Sequence, residues 1–443
     1  MATSFLSSLP DLGARPQGPM RPGDFTLERI RRLMAALGQP QQGYASVHVA
    51  GTNGKGSVSA LCAAALQAGG HRVGLFTSPH LHGPLEGISV NGQMVTGEDL
   101  DAPFQKMLPH LESAQGWTQF EVTAALAFQY FADAGVDVAV IEVGLGGRLD
   151  ATNMLVPTVS VITPIDYDHT SILGDRLGRI AGEKAGIIKQ GVTVVMAPQV
   201  AEARQVIAEE AKAKKATLIE VGVDILFERG EANLSGQDVR VWPALRPEQA
   251  LELRIALLGA HQAENTAVAC AALWAGRDGG QEVSDEAIRK GFAAVRWPGR
   301  FEVLQADPAL IVDAAHSPHA ARALRSSLED YFPGKAVVLV LGVSADKDLA
   351  GIIEPLRPRI ARAIATQSIH PRAMPAAVLQ ARLAGLGLQA EGQPDAAQAL
   401  QIALEAACQD EVVLVCGSVF LVEQIRELYS MARGGLQTAP TAR

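Results

Sequence analysis

Residues 45–57 read Ala-Ser-Val-His-Val-Ala-Gly-Thr-Asn-Gly-Lys-Gly-Ser, and the fold turns on how this stretch is read. An apolar strand-like run empties into a glycine-rich turn, and the segment that follows, Ser57 to Ala68, is rich in Ala and Leu and predicts a helix. Strand, glycine turn and helix together make a phosphate cradle. Without side chains at Gly51, Gly54 and Gly56 the backbone can curl so that N–H groups face anionic oxygens. Lys55 adds a point charge, and the positive end of the helix faces the same oxygens. The spacing departs from G-x-x-x-x-G-K-[ST], because Gly56 intervenes between Lys55 and Ser57. Gly51, Thr52, Asn53, Gly54, Lys55, Gly56 and Ser57 are therefore expected to hold a nucleotide triphosphate; the plain alternative is a tight turn.

Outward from this loop, strand-like runs recur at 72–77, 137–143, 157–163 and 192–196, separated by helical stretches, as in βαβ units on a parallel sheet. A helix is expected from Thr26 to about Leu37. Asn91-Gly92 between two short apolar runs signals a two-residue hairpin, read as an excursion from the sheet. Irregular β-like pieces at 222–257 suggest an antiparallel flap, and helical patterns follow from His261 to about Ala275 and up to Val295. Arg296-Trp-Pro-Gly299 carries the turn chemistry of a domain junction. Strand candidates at 309–313, 335–342, 361–366 and 411–416 then predict a second α/β domain with its own sheet. We place one domain at 1–296, its first 25 residues a partly ordered arm, and a second at 297–443, with 434–443 disordered.

The 443 residues exceed one ordinary core, and a net charge of −9 works against a polyanionic partner, so no nucleic-acid partner is expected. The cysteines at 62, 270, 408 and 416 lack metal-site spacing and read as reduced core thiols. The start of the chain lacks a basic stretch followed by an apolar segment, and no run of 18 apolar residues occurs, so neither secretion nor a membrane is expected. A cytoplasmic enzyme is the expectation.

Glu142 ends the run 137–143 and is followed at once by Gly144-Leu-Gly-Gly-Arg-Leu-Asp-Ala-Thr-Asn153. Ligands of open α/β sheets gather at such strand ends, where a carboxylate can hold Mg²⁺ or make a salt bridge. Asp166, Asp168 and His169 follow the run 157–163 and reach the same edge. Taken alone, His169 reads as a hydrogen-bonding loop histidine, since imidazole is a softer donor than carboxylate; His80 and His82 are read the same way. Lys184 is either a snorkelling surface lysine or a desolvated amine able to take up carbon dioxide as a carbamate. Beyond the junction, Arg300 can fork onto phosphate and Asp313 can accept from ribose hydroxyls, beside the expected crevice between domains.

These residues resemble a known family. Gly51-Thr-Asn-Gly-Lys-Gly-Ser57, Thr77-Ser-Pro-His-Leu81, Glu142-Val-Gly-Leu-Gly-Gly147, Asp150-Ala-Thr-Asn153, Asp168-His169, Glu183-Lys-Ala-Gly-Ile-Ile-Lys189, His261-Gln262 with Asn265, Pro298-Gly-Arg300 and Asp313-Ala-Ala-His316 look like folylpolyglutamate synthase/dihydrofolate synthase, of the Mur ligase superfamily. The resemblance implies an α/β fold, a P-loop ATPase domain with a mostly parallel sheet plus a smaller Rossmann-like domain. It implies ATP-dependent addition of L-glutamate to folates, and also to dihydropteroate, with ATP and Mg²⁺. By resemblance, Lys55 and the loop amides hold phosphates; Ser78, Glu142, His169 and a carbamylated Lys184 form the metal site; Asn265, Arg300 and Asp313 contact ATP. Thr118, Phe120, Leu149, Asp150 and Ala151 would line the pterin pocket, with His316 and Ser418 near the incoming glutamate. The sequence departs from the family pattern at Ala314 and Ser317, where Gly and Asn are usual, and at Gly87, where Arg is usual.

The chemistry so implied needs no enzyme nucleophile: a carboxylate attacks the γ-phosphorus with ADP as leaving group, and an amine then displaces phosphate from the resulting acyl phosphate. One rival is another Mur-type amide ligase acting on a UDP-sugar peptide, which needs an extra N-terminal domain where only 44 residues precede residue 45. The other is a nucleotide-binding protein without ligase activity. Small-molecule substrates and a monomer are expected.

Overall fold

β1 (Ala45–Ala50) is buried along nearly its whole length because both its neighbours are strands and both faces are covered, which is why it reads as a continuous apolar run. The computed structural model describes residues 1–10, 26–78, 85–112, 116–277 and 279–432. The proposed arm beyond residue 10, His80, His82 and the tail 434–443 lie outside them.

The chain opens with α1 (Ala2–Ser8) and α2 (Glu28–Ala36), then β1 and α3 (Lys55–Ala68), β2 (Val73–Phe76), the hairpin β3 (Ile88–Val90) and β4 (Gln93–Met94), α4 (Asp101–Glu112), α5 (Gln119–Asp133) and β5 (Val138–Glu142). β6 (Val159–Ile162), α6 (Thr170–Leu173), α7 (Leu177–Ala185), β7 (Thr193–Met196), α8 (Ala201–Ala213) and β8 (Leu218–Glu220) complete the first sheet, whose order is β4-β3-β2-β5-β1-β6-β7-β8. From β2 to β8 the pairings are parallel. The hairpin corrects the sequence reading: it is no excursion, since β3 pairs antiparallel with β2 and extends the sheet. Asn91 and Gly92 both have positive φ, as a type I′ turn requires, and the Asn91 side chain accepts from the Val73 amide, tying the turn to β2.

The alternation along β5 assigns the two layers. Val138 and Val140 face the core shared with α3, while Ala139 and Ile141 face the opposite core with Phe128 and Phe131 of α5. Ala2 and Leu6 of α1 are fully covered in that second core, so the opening residues form a docked helix where the sequence suggested only an arm.

β9 (Ile225–Asn233), β10 (Gly236–Pro243) and β11 (Leu251–Ile255) form a separate antiparallel sheet. α9 (Ala260–Arg277) and α10 (Asp285–Ala294) then pack on α3. The chain passes through 295–301 into a sheet of order β12-β13-β17-β14-β15-β16, made of β12 (Glu302–Ala306), β13 (Ala309–Val312), β14 (Ala336–Leu341), β15 (Ile360–Ala365), β16 (Glu391–Gly392) and β17 (Glu411–Cys416). Only β12 runs antiparallel. α11 (Pro318–Tyr331), α12 (Leu349–Leu356), α13 (Ala376–Gly385), α14 (Ala396–Ala406) and α15 (Val419–Ala432) cover its faces.

All four cysteines are free, but only three are core thiols; Cys408 is exposed in the turn between α14 and β17. Among the described residues no helix is long and apolar enough to cross a membrane.

Candidate active site

The loop 51–54 is shaped by what surrounds it. Gly51 has φ +148°, and a Cβ there would fall 1.8 Å from Thr163 Oγ1; Gly54 has φ +84°, with Asn265 Oδ1 at 2.3 Å from any added Cβ. Gly56 has room for nothing either, because Trp297 of the 295–301 connection lies 2.9 Å from its would-be Cβ. The odd glycine after Lys55 is thus where the connection between the two main sheets packs on α3.

The amides divide into two sets. Those of Thr52 and Asn53 donate to Pro164 O at 3.0 and 3.1 Å, which corrects the expectation that the whole loop faces a ligand. The Thr52 hydroxyl likewise engages the backbone of Asp166. The amides of Gly54, Lys55, Gly56 and Ser57 have no protein acceptor among the described residues, as expected at the open start of a helix. Asn53 Nδ2 is buried beside them and has no hydrogen-bond partner among the described residues.

Glu142 leaves the end of β5, next to β1 in register, and its Oε1 lies 3.8 Å from Lys55 Nζ while its Oε2 accepts from the Ser78 amide. Burial raises its carboxyl to about 7, against the pull of Lys55. Lys184, buried on α7, donates to Gly51 O at 2.6 Å. Its burial, helped by Lys55, lowers its ammonium to about 7, so it is no snorkelling surface lysine. His169 caps α6 in a left-handed conformation, 3.5 Å from Asp168. Burial holds the imidazole below its ordinary value despite that carboxylate, so it is neutral near pH 7.

The second main sheet faces this edge. Asp168 pairs with Lys347 at 3.2 Å, and Asp166 with His319 at 3.2 Å and Arg322 at 3.7 Å. Burial would raise Asp168, but His169, Lys347 and His316 hold it below the usual carboxylate range. Sequence reasoning passed over Lys347, which lies in the loop between β14 and α12, six residues beyond the strand end. His316 Nδ1–H donates to Ala314 O, and Ser418 is buried after β17, where the Gly417 amide donates to Ala315 O. Asp313 accepts from the Phe301 and Ala315 amides, each at 2.7 Å and one on each carboxylate oxygen, so it shapes the turn that carries Arg300. Gln262 reaches Ser57 and bonds Asn265, placing α9 on the loop.

The residues at 118–151 fall into two roles. Phe120 lies over Gly144, whose Cβ would meet the ring at 2.5 Å, and packs against Phe76 at 5.9 Å; Leu149 is 42 % exposed. Thr118 caps α5 in a capping box with Glu121, and Ala151 is core. Asp150 is also structural: it accepts from the Leu145 and Thr152 amides and the Thr152 hydroxyl, so its carboxylate is engaged within its own loop. Two departures from pattern are accommodated locally by the backbone. Ser317 caps α11 as Asn would, and Ala314 needs no positive φ.

The chain matches the model of the Mur ligase middle domain over residues 49–273 and that of the Mur ligase glutamate ligase domain over 299–419. The chain belongs to the Mur ligase family. This Mur ligase is 35 % identical to the dihydrofolate synthase/folylpolyglutamate synthase of Bacillus subtilis, over 96 % of this chain and 99 % of that one. It superposes on Escherichia coli FolC in complex with DHPP and ADP with a TM-score of 0.86 at 33 % identity, covering 98 % of each chain. Mycobacterium tuberculosis folylpolyglutamate synthase complexed with ADP and AMPPCP gives 0.83 at 34 % identity, over 91 % of this chain and 95 % of the other.

Proposed function

We propose that this Mur ligase uses ATP to join L-glutamate to the carboxylate of folates, acting as a folylpolyglutamate synthase, and also to dihydropteroate as a dihydrofolate synthase. The observation that carries this reading is the convergence, on four acceptor-free amides at the start of α3, of Lys55, Glu142 and Lys184 from three separate elements. High-coverage relatives bear the names of both activities.

Lys55 and the amides of Gly54 to Ser57 would hold the β- and γ-phosphates, with Asn53 Nδ2 free to take an oxygen. Asn265 and Arg300 would border the rest of the nucleotide, and Asp313 would keep Arg300 in place. The residues fit Mg²⁺: Glu142 and the Ser78 hydroxyl offer oxygen, and His169 offers a neutral imidazole. Among the described residues no three His, Cys, Asp or Glu cluster as an all-protein metal site, which suits a cation completed by phosphate oxygens. Mg²⁺ would supply charge neutralisation at the transferred phosphoryl group. A Lys184 amine poised near 7 has the free base needed to add carbon dioxide, and the resulting carbamate would place oxygens beside Gly51.

Phe120 and Leu149 would contact the pterin, with Thr118, Asp150 and Ala151 fixing the surrounding backbone. His316 and Ser418 would meet the incoming glutamate. Lys55 and the helix start would align the γ-phosphorus with the acceptor carboxylate, and the buried edge would exclude water from the acyl phosphate. The reading extends to a cytoplasmic monomer acting on small molecules.

The test is phosphate release with ATP, Mg²⁺ and glutamate, comparing dihydropteroate and tetrahydrofolate as acceptors. Release that depends on both acceptor and glutamate is expected. Nucleotide binding without release would leave only a non-catalytic ATP-binding protein.

A further inference from the structure

The antiparallel flap read from the sequence is the three-stranded sheet β9–β11. β9 packs against both α9 and α11, so the sheet is wedged between the two α/β units. At its centre Arg229 uses its whole guanidinium fork. Nε donates to Gln237 Oε1 at 2.6 Å, Nη1 to Asp330 Oδ2, and Nη2 to the Tyr331 hydroxyl at 3.1 Å, with the Tyr331 ring centroid 5.7 Å away.

Two of these partners, Gln237 and Tyr331, lead on to parts of the site. Gln237, fully buried, donates to Leu257 O and Gly259 O at 2.7 and 2.8 Å. The Tyr331 hydroxyl also accepts from the Gly259 amide at 3.1 Å. Gly259 opens α9, the helix whose Gln262 and Asn265 touch the phosphate loop; it has φ +106°, and a Cβ there would meet Ser327 of α11 at 2.6 Å. The Tyr331 ring lies 5.5 Å from Phe301, which follows Arg300 and whose amide Asp313 accepts. One side chain on β9 thus joins β10 and α11 directly, and the residue that precedes α9 through Gln237 and Tyr331, where the two units meet.

We propose that Arg229 is a positioning residue of the ligase reaction: it fixes the small sheet to α9 and α11, so that the C-terminal unit presents His316 and Ser418 to the phosphate loop. The inference rests on the reading that glutamate binds at those strand ends. Arg229 itself lies behind the site and touches no substrate in that reading.

The test compares the full chain with Arg229→Met, which keeps the apolar stem, Tyr331→Phe, and Arg229→Lys, which keeps the charge without the fork. For Arg229→Met the expected result is a glutamate KM raised roughly fivefold or more and kcat lowered roughly tenfold, with ADP affinity within about threefold of wild type. Tyr331→Phe should show the same pattern at smaller size, and Arg229→Lys should recover only part of the loss. Solution X-ray scattering should show a larger radius of gyration for Arg229→Met than for wild type. A folded Arg229→Met protein with unchanged glutamate KM and unchanged scattering would overturn the proposal, whatever its melting temperature, since a merely structural role moves only stability and active fraction. If the wild-type protein shows no glutamate-dependent turnover, the functional reading has failed instead; scattering then decides the positioning role by the same two outcomes.

Discussion

Gly51→Ala tests whether the phosphate loop is held by its surroundings or is simply flexible. The native φ of +148° lies in a region that is essentially restricted to glycine, costing about 1–3 kcal/mol for another residue. The new Cβ would also stand 1.8 Å from Thr163 Oγ1, which must rotate away and give up its bond to Ala50 O, at about 1 kcal/mol. Together these give a destabilisation of about 2–4 kcal/mol and, for a cooperative unit of this size, a fall in melting temperature of roughly 2–6 °C. Thermal unfolding followed by circular dichroism, with and without ADP, reads both consequences. Because Gly51 O accepts from Lys184, the variant should also lose most of the stabilisation that saturating nucleotide gives the wild type, about 3 kcal/mol at a hundredfold excess over Kd. Adding Thr163→Ala removes the nearest clashing atom but leaves the backbone strain, so it should restore only part of the loss. A Gly51→Ala protein that melts within a degree of wild type and keeps the full ADP shift would refute the reasoning.

Three further outcomes are expected. Gly56→Ala gains about 1 kcal/mol of helix propensity but pushes on Trp297, so its melting temperature should change little while kcat falls roughly tenfold; an unchanged kcat would show that the Trp297 contact is incidental. Burial lowers His48 from 6.5 to about 3, so below pH 6.5 the unfolded chain binds a proton the native one does not; stability present at neutral pH is lost as pH falls toward 3, by up to about 5 kcal/mol, and His48→Gln should flatten that slope in urea titrations. Asp150→Asn leaves a buried amide of the 144–154 loop without its acceptor and should cost about 1–3 kcal/mol in chemical denaturation while leaving ADP affinity unchanged.

Much of this arrangement is legible in the sequence where local rules decide it. The run 45–57, the Asn91-Gly92 turn and the glycine and proline at 298–299 each carry their conformation in their own residue types. What stays hidden depends on partners distant in the chain. Nothing within 51–57 tells that Pro164 O takes the Thr52 and Asn53 amides, or that Trp297 presses on Gly56. β12 is missed because Glu302–Ala306 is short and half-buried at an edge, without a full apolar run. Asp150 reads as a substrate contact because a carboxylate in a glycine-rich loop suits that role; its part in holding the loop, through Leu145 and Thr152, shows only in three dimensions. For His169 and Lys184, residue chemistry alone favours the ordinary reading. Family resemblance points the other way, and the burial of Lys184 against Gly51 O supplies a physical reason for it.

The most direct test of an acyl-phosphate route follows the oxygen atoms. When the acceptor carboxylate is labelled with ¹⁸O and turned over with ATP, Mg²⁺ and glutamate, its attack on the γ-phosphorus should leave one labelled oxygen in each phosphate released, read by mass spectrometry. Phosphate released at the same rate but without label would contradict attack by that carboxylate, and with it the role given to the edge where Lys55, Glu142 and Lys184 meet.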